Sequence, residues 1–313
     1  MLTYVLGRLA ATIPVMGVVA LVVFAILRLT PGDPAAIIAG DSATNEQLEQ
    51  IRLQMGLDEP VYVQFALWIG QILRGDLGTS LISGVPVSGM IVERIGPTLA
   101  LSTTIILFSV TVAIPLGVIA AWKRGTLIDR AVSAASVLGY SLPVFVTGYL
   151  LILLFAMQLR WLPVQGFVPP SEGLWPFLQR LILPTLALGG AYIALIARIT
   201  RTSVLEVMGE DYIRTARAKG ASETSVLLRH ALRNAAVPIV TIIGVGITNL
   251  VSGVVVTESV FNYPGLGRLV VEAVLARDYP VIQGVILLFA FVYILINLMI
   301  DLLYTVLDPR IRY

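Results

Sequence analysis

Six long stretches of this sequence carry no charged residue, and each is long enough to cross a lipid bilayer as a helix. About 20 apolar residues in a helix cover the hydrocarbon core of a bilayer. The backbone of a spanning segment must satisfy its hydrogen bonds within a helix or a closed barrel, and these runs lack the alternation of a barrel strand. The sequence therefore predicts an all-α integral membrane protein with six transmembrane helices, near residues 9–27, 97–122, 131–159, 181–197, 235–257 and 279–300.

The composition agrees with a membrane protein and excludes several kinds of site. The chain has a mean hydropathy of +0.90 and 13% charged residues, whereas soluble domains carry about 25%. It contains no cysteine, which excludes disulfide bonds and thiolate metal or redox sites. A net charge of +2 gives no indication of a nucleic-acid partner. The first apolar run is too long for a signal peptide and no cleavage pattern follows it, so we expect it to remain as an anchor.

The basic residues predict the orientation of the chain. If the first residue is cytoplasmic, the inner segments hold 13 lysines and arginines, whereas the short outer loops hold 4. Short loops rich in basic residues stay on the cytoplasmic side. We therefore expect a multi-pass protein with both termini in the cytoplasm.

The segments between the apolar runs suggest three regions. Residues 1–29 form an N-terminal segment and the first transmembrane helix, which "TPGDP" at residues 30–34 ends because proline lacks a backbone donor. Residues 30–96 form a small extracytoplasmic helical cap, with a short amphipathic helix over 42–57 and an interfacial apolar helix over 61–78. Residues 97–313 form the core domain with five transmembrane helices and a long cytoplasmic loop, 202–236.

That cytoplasmic loop contains an unusually charged stretch, "EDYIRTARAKG", with five charged side chains in eleven positions. Its acidic residues precede its basic ones, an order that complements a helix dipole, and Gly220 fits the helix end. Ser222 can cap a second helix, in which Arg229 and Arg233 share one face. The other face is formed mostly by apolar residues, namely Leu228, Ala231, Leu232 and Ala235.

Two interpretations of the loop compete. Basic inner loops are common, so it could be a solvated loop with no partner. Small residues cluster at the bend, however, and apolar positions recur at helical spacing, which favours close approach by another backbone. We therefore predict two short helices joined at a glycine as a docking element.

The loop also resembles a known one, the cytoplasmic coupling loop of permease subunits in binding-protein-dependent ABC importers of the dipeptide, oligopeptide, glutathione and nickel group. The resemblance rests on "EDYIRTARAKGASETSVLLRHALRNAAVP" and extends over the chain through "PGDP", "GDLGTS", "YPGLGR", "RDYPVIQG" and the closing "DPRIRY". It implies the permease fold of type I ABC importers, in which the first helix of the loop fits a groove on an ATP-hydrolysing subunit.

The resemblance also implies which residues couple to that ATPase. They match its docking helix, the break after it and the helix that follows: Glu210, Asp211, Tyr212, Ile213, Ala216, Ala218, Lys219, Gly220, Arg229, His230 and Arg233. The chain departs from the general importer consensus at Arg214 and Thr215, where that consensus has glutamate and alanine. It also has Arg233 in place of a proline, and these departures agree with the peptide-importer version.

The partners and the substrate follow from the resemblance as well. It implies a second, homologous permease subunit in a heterodimer, two ABC ATPase subunits, an extracytoplasmic substrate-binding protein and a bacterial inner-membrane location among lipid. The cargo would be a dipeptide or oligopeptide, or a similar small solute such as glutathione or a nickel chelate. The membrane chain would bind no cofactor and would not be an enzyme, because its partners use the ATP and magnesium.

The sequence itself argues against nucleotide binding by this chain. A phosphate-binding loop needs a lysine directly after glycine, with serine or threonine next. Lys123 and Lys219 are the chain's lysines, and they follow Trp122 and Ala218. Energy for active transport would therefore come from another subunit.

Several residues are candidates for a transport pathway or gate. "GYSLPVF" places Tyr140 and Pro143 in the third run, and Asn249 and Ser252 add polar groups to the fifth. Glu258 is an ionisable residue near the outer end of that run, and Tyr263 begins the "YPGLG" turn. Helix packing explains the same features about equally well. His230 is the single histidine and has no companion that would suggest a metal or catalytic role, so we expect a structural one.

Two other classes of membrane protein predict different patterns. A secondary carrier driven by an ion gradient would show inverted repeats with broken helices and charged residues at mid-membrane depth. An intramembrane enzyme would show paired catalytic groups at depth. The sequence shows no convincing repeat and no such pair, so the importer subunit is preferred.

Overall fold

The computed structural model describes residues 2–29, 35, 44–46, 49, 52 and 57–307. The "TPGDP" and "DPRIRY" motifs and most of the amphipathic helix predicted over 42–57 lie outside these residues.

The described secondary structure is helical, apart from a single bridge between Thr79 and Pro86. The helices are α1 (Leu2–Leu29), α2 (Val61–Leu73), α3 (Val87–Trp122), α4 (Leu127–Ser141), α5 (Val144–Leu151), α6 (Leu174–Met208), α7 (Asp211–Ala218), α8 (Glu223–Ser225), α9 (Leu232–Asn234), α10 (Ala236–Val260), α11 (Leu266–Ala276) and α12 (Tyr279–Leu307). Two π-helical turns, Ile152–Gln158 and Val226–Ala231, and a short 3₁₀ turn, Pro170–Glu172, accompany them.

Four of the described helices, α3, α6, α10 and α12, are long and apolar enough to cross a membrane. They correspond to four of the six predicted runs, and the all-α class is confirmed for the described residues. The first run corresponds to α1, whose described apolar stretch is Ala10–Ala25. Helices α3 and α6 are longer than predicted, since they begin at Val87 and Leu174 and continue through Pro97 and Pro184.

The third run is not one continuous helix, and this part of the prediction is wrong. Helix α4 ends at Ser141, and α5 with its π-helical turn continues at an angle of 102°. Pro143 has no backbone N–H and disfavours the helical conformation for the preceding residue, and Leu142 is extended with φ −84° and ψ 128°. The result is a bent pair of helices that counts as at most one span.

The chain divides into two compact units. The first contains residues 1–96 and 265–295, and the second contains residues 97–264 and 296–313.

The first unit brings two of the sequence motifs together. The Asp278 carboxylate of "RDYPVIQG" accepts hydrogen bonds from the Ser80 hydroxyl of "GDLGTS" and from the backbone N–H of Leu81, the latter at 3.0 Å. A Cβ atom on Gly284 would lie 2.8 Å from the Val87 side chain, so this contact requires glycine. Packing and one buried carboxylate therefore hold the loop before α3 against the start of α12.

The second unit is organised by close helix crossings. The tightest is between α3 and α6, where a Cβ atom on Gly117 would lie 2.6 Å from both the Ala197 carbonyl oxygen and the Thr200 Cβ. Small residues allow membrane helices to approach in this way. A separate apolar core forms around Leu101 and Leu188, with further residues of α3, α6 and α10 and with Tyr263 after α10: Ile105, Leu181, Leu250 and Val254.

We predict that Gly117→Ala destabilises the protein by about 1–3 kcal/mol, because the added methyl group overlaps the α6 backbone. Gly89→Ala is the matched control on the same helix, since no atom apart from its chain neighbours and the backbone of its own helix lies within 4 Å of a Cβ atom added there. The control should be neutral or stabilising by up to about 1 kcal/mol. Detergent-induced unfolding of the purified variants, followed by circular dichroism, measures both. Equal effects of the two substitutions would contradict the close crossing.

Candidate functional site

The C-terminal end of α6 leads directly into the predicted docking element. Helix α6 runs for 35 residues to Met208, and Glu210 is extended with φ −71° and ψ 149° before α7 begins. Asp211 lies in the first turn of α7 and Arg217 in its last, as the helix dipole favours. The docking hairpin, defined as residues 211–234, is therefore attached to the end of a long helix by one short bend.

The turn of the hairpin confirms the predicted break. Gly220 has φ +83°, a conformation that side-chain-bearing residues rarely adopt, and its N–H donates to the Arg217 carbonyl at 2.9 Å. The Ser222 hydroxyl accepts a hydrogen bond from the Ser225 N–H at 3.4 Å, which caps the second arm as predicted.

An ion pair connects the two arms of the hairpin. Arg217 donates from Nε to Glu223 Oε1 at 2.8 Å and from its terminal nitrogen to Oε2 at 3.1 Å. The Arg217 guanidinium holds the pKa of the Glu223 carboxyl below its ordinary value, first through this hydrogen bond and then through its charge. Both groups face solvent, so the pair fixes the angle between the arms more than it adds stability.

The second arm contains a π-helical turn that sequence periodicity did not predict. A π-helical turn inserts an extra residue and shifts the helical phase. Leu227 is therefore buried in place of the predicted Leu228, whose side chain is 54% exposed. Ala231 and Ala235 are buried as predicted, in a cluster with Val118 of α3 and other residues: Ala121, Val204, Leu227 and Ile239.

One buried side chain holds the docking helix α7, and most of its other residues are exposed. Ile213 is fully buried, whereas Tyr212 is 41% exposed. Burial, and then the Glu210 charge, raise the pKa of the Tyr212 hydroxyl, while its hydrogen bond to Asn234 opposes the rise. Asn234 in turn donates to the His230 carbonyl at 2.7 Å.

The structure brings the predicted coupling residues together in this hairpin and at Glu210, directly before it. Ile213 is buried, and Ala216 and His230 are half-buried. The others are exposed: Glu210, Asp211, Tyr212, Ala218, Lys219, Gly220, Arg229 and Arg233. The hairpin thus offers a charged surface with an apolar underside, and its role as a docking element stays a prediction.

The six pathway candidates fall into two groups. Glu258 and Tyr263 are fully buried, and the Glu258 carboxylate accepts a hydrogen bond from the Thr98 hydroxyl at 2.6 Å. Tyr263 donates its N–H to the Glu258 carbonyl at 2.8 Å and packs its ring edge-on against Phe167. These contacts stabilise the end of α10.

The other four candidates are exposed: Tyr140, Pro143, Asn249 and Ser252. Tyr140 and Pro143 flank the bend between α4 and α5. Asn249 and Ser252 share one exposed face of α10 with Val245, Val256 and Ser259, at alternating spacings of four and three. Their role in a pathway stays a prediction.

Sequence reasoning missed one arrangement near the hairpin. Arg201 of α6 forms a bidentate ion pair with Asp129 of α4, across a separation of 72 residues. Hydrophobic periodicity indicates which face of a single helix is buried, but not which residues of two helices meet. No sequence signal therefore revealed this pair. Within the described part of the chain, no group of three acidic, histidine or cysteine side chains could hold a metal ion.

Comparisons with known proteins agree on one family. Residues 113–313 match the family "Binding-protein-dependent transport system inner membrane component", and residues 1–102 match its N-terminal counterpart. Among curated relatives, a "probable peptide ABC transporter permease protein" of Sinorhizobium fredii is 54% identical and covers 99% of both chains. A "glutathione transport system permease protein" of Salmonella choleraesuis is 47% identical, and a "putative peptide transport system permease protein" of Brucella abortus is 45% identical. Both of these cover 100% of the two chains compared.

A solved structure supports the fold. A chain of the MetNI methionine ABC transporter in an inward-facing conformation matches with a TM-score of 0.59 and 20% identity. The match covers 71% of this chain and 97% of that one. The protein therefore shares its helical architecture with this chain of the methionine ABC transporter.

We predict that Ile213→Ala loosens the docking hairpin, because it removes a fully buried side chain at a cost of about 2 kcal/mol or more. Hydrogen–deuterium exchange of the amides in 211–220 should then accelerate by roughly 30-fold where exchange proceeds by local opening.

Leu228→Ala is the control for this variant, since Leu228 lies on the same hairpin with an exposed side chain. Its exchange should match that of the unaltered protein. Equal acceleration in both variants would show that Ile213 does not anchor α7.

Proposed function

Because this chain belongs to the family of binding-protein-dependent transport system inner membrane components, we propose that it is the membrane-spanning permease subunit of an ATP-driven importer. Its cargo is a dipeptide or oligopeptide, or a similar small solute such as glutathione or a nickel chelate. A substrate-binding protein outside the membrane delivers this cargo, and partner ATPase subunits supply the energy. The chain itself performs no ATP hydrolysis.

One observation carries this proposal, namely the docking hairpin at the end of α6. The exposed and charged α7 is held by Ile213 underneath and by the Arg217–Glu223 pair at its end. The second arm packs Leu227 and Ala231 in one cluster with Val204 of α6, so we expect the hairpin to move with the helix that bears it. A push on α7 therefore reaches the 35-residue α6, and through it the membrane helices that pack on α6.

The energy source follows from what this chain lacks. No lysine follows a glycine, so the phosphate cradle of the common nucleotide-binding loop is absent from the sequence. A nucleotide can drive transport only if it interacts differently with the inward-open and outward-open states. Two ATPase subunits that close on ATP and grip the hairpins, with Mg²⁺ as their cofactor, would supply that difference.

The exposed face of α10 supports a second permease as partner. Asn249 and Ser252 lie along this face, and polar groups on a spanning helix are costly against lipid. A related permease subunit would cover this face or share a water-filled pathway with it. Tyr140 and Pro143, at the bend of the α4–α5 pair, would line the same pathway.

The nature of the cargo rests on the relatives. The names of the matched proteins refer to peptides and to glutathione, which is itself a small peptide. We extend these substrates to this chain because the relatives match over nearly its full length. The delivering protein selects among them, and the ligand that it retains on purification identifies the cargo.

We predict that Gly220→Pro lowers ATP-dependent uptake by roughly 10- to 100-fold, the range of a coupling energy of a few kcal/mol. Proline cannot adopt the φ of +83° found at this residue, so the hairpin turn must change. Ala216→Trp should have a similar effect, because bulk on the half-buried side of α7 prevents close docking. Uptake by the assembled importer into proteoliposomes measures both variants, with membrane insertion monitored separately.

Gly220→Asn is the matched control. Asparagine tolerates positive φ, and no atom lies within 4 Å of a Cβ atom added at this position. It should therefore retain most of the uptake. Normal uptake in Gly220→Pro, with the partner subunits and ATP present, would remove the proposed role of the hairpin.

A further inference from the structure

A single carboxylate ties the loop between α3 and α4 to the helix that carries the docking hairpin. Asp129 lies in the first turn of α4, and its side chain is only 7% exposed. Arg201 of α6 approaches it with two parallel donors, Nε to Oδ1 at 2.5 Å and a terminal nitrogen to Oδ2 at 2.9 Å. Such a fork fixes distance and angle together, which a contact between two apolar side chains does not.

The same carboxylate also holds the backbone of the loop. The Gly125 N–H donates to Asp129 Oδ2 at 2.9 Å, and Gly125 has φ +81°. The Thr126 hydroxyl donates to the Lys123 carbonyl at 2.6 Å and closes the turn. Asp129 therefore joins three parts of the second unit, namely the turn after α3, the first turn of α4 and the side of α6.

The position of Arg201 on α6 relates this cluster to the hairpin. Arg201 lies about two helical turns before Met208, where α6 ends and the bend into α7 begins. Below Arg201, Val204 is fully buried in the cluster that also holds Ala231 and Ala235 after the docking helix. A displacement of the hairpin therefore reaches Arg201 through a short, well-packed stretch of one helix.

Beyond this cluster, α4 packs extensively against α6, but a cleft interrupts the packing. An open cleft of about 320 Å³ lies between the two helices and is lined by small residues such as Ala131 and Ala197. They meet again near Gly139, where an added Cβ would lie 3.4 Å from the Gly190 carbonyl oxygen and the Ala194 Cβ. At the end of α4 nearer the hairpin, the ion pair is thus the directional link between the two helices.

We propose that the Asp129–Arg201 pair is a positioning element for energy coupling, which carries the displacement of the docking hairpin from α6 to α4 and to the bend at Leu142–Pro143. This inference rests on the proposed function. The bend lies 102° off the α4 axis and bears the exposed Tyr140 and Pro143, so movement of α4 changes the part of the protein where we place the pathway. Without the pair, α6 still moves with the hairpin, but α4 no longer follows it faithfully.

The test uses the assembled importer in proteoliposomes and measures the ATP hydrolysed per substrate molecule taken up. Asp129→Asn keeps the shape of the side chain and an acceptor for Gly125, and it removes the charge that binds Arg201. We expect about a five-fold or larger increase in the ATP hydrolysed per substrate molecule. The amount of ATPase subunit that is recovered with the permease should not change. Arg201→Lys removes the fork but keeps the charge, and it should raise the ratio in the same direction.

Glu272→Gln is the matched control, because it also removes a carboxylate that pairs with arginines. Glu272 binds Arg94 at 3.1 Å and Arg268 at 2.7 Å in the first unit. The ATP-to-substrate ratio of this variant should equal that of the unaltered importer. The exchanged pair, Asp129→Arg with Arg201→Asp, should recover part of the coupling lost in Asp129→Asn.

The outcomes separate the two proposals. If Asp129→Asn keeps the normal ratio, the pair does not couple. If uptake and ATP hydrolysis in Asp129→Asn both fall in the same proportion as the amount of complex recovered, the pair has a purely structural role. That result would overturn the inference. If the unaltered complex shows no ATP-dependent uptake at all, the proposed function itself fails, whatever the variants do.

Discussion

The backbone of α6 forms an unbroken helix from Leu174 to Met208, and the proposed mechanism depends on this continuity. A helix in lipid satisfies its own hydrogen bonds, so it can extend beyond the bilayer as a stiff element. Its C-terminal end carries the docking hairpin, and its flank carries Arg201. We propose that this helix, instead of a flexible loop, transmits the force applied to the hairpin.

The sequence predicts the features that depend on residues close together in the chain. Uncharged runs locate the long helices, Gly220 ends the docking helix because its φ is positive, and Ser222 caps the next arm. Pro143 marks an interruption in the sequence, but the 102° bend is not predictable from it, because the angle depends on what each half packs against. The extension of α6 to Met208 escapes prediction for a related reason. Its last turns carry polar residues typical of a loop, although Val204 and Ser203 are buried by neighbouring segments.

The candidate site shows the same division between local and long-range information. The resemblance to importer permeases indicates the hairpin residues, and the structure gathers them in one element. The π-helical turn that buries Leu227 instead of Leu228 is not predictable from a 3.6-residue period, because an inserted residue changes the phase. Asp129 and Arg201 are 72 residues apart, and only the packing of α4 on α6 shows that they form a pair.

The central claim is that the docking hairpin bears on a separate ATPase, and a site-specific cross-link tests it most directly. Because the chain contains no cysteine, Lys219→Cys introduces a unique attachment point for a thiol-linked photoreactive probe at an exposed position. In the assembled importer, illumination should join this residue to an ATP-hydrolysing subunit, with a yield that changes when ATP is added. Cross-links to lipid alone, or to no protein in either nucleotide state, would contradict the account.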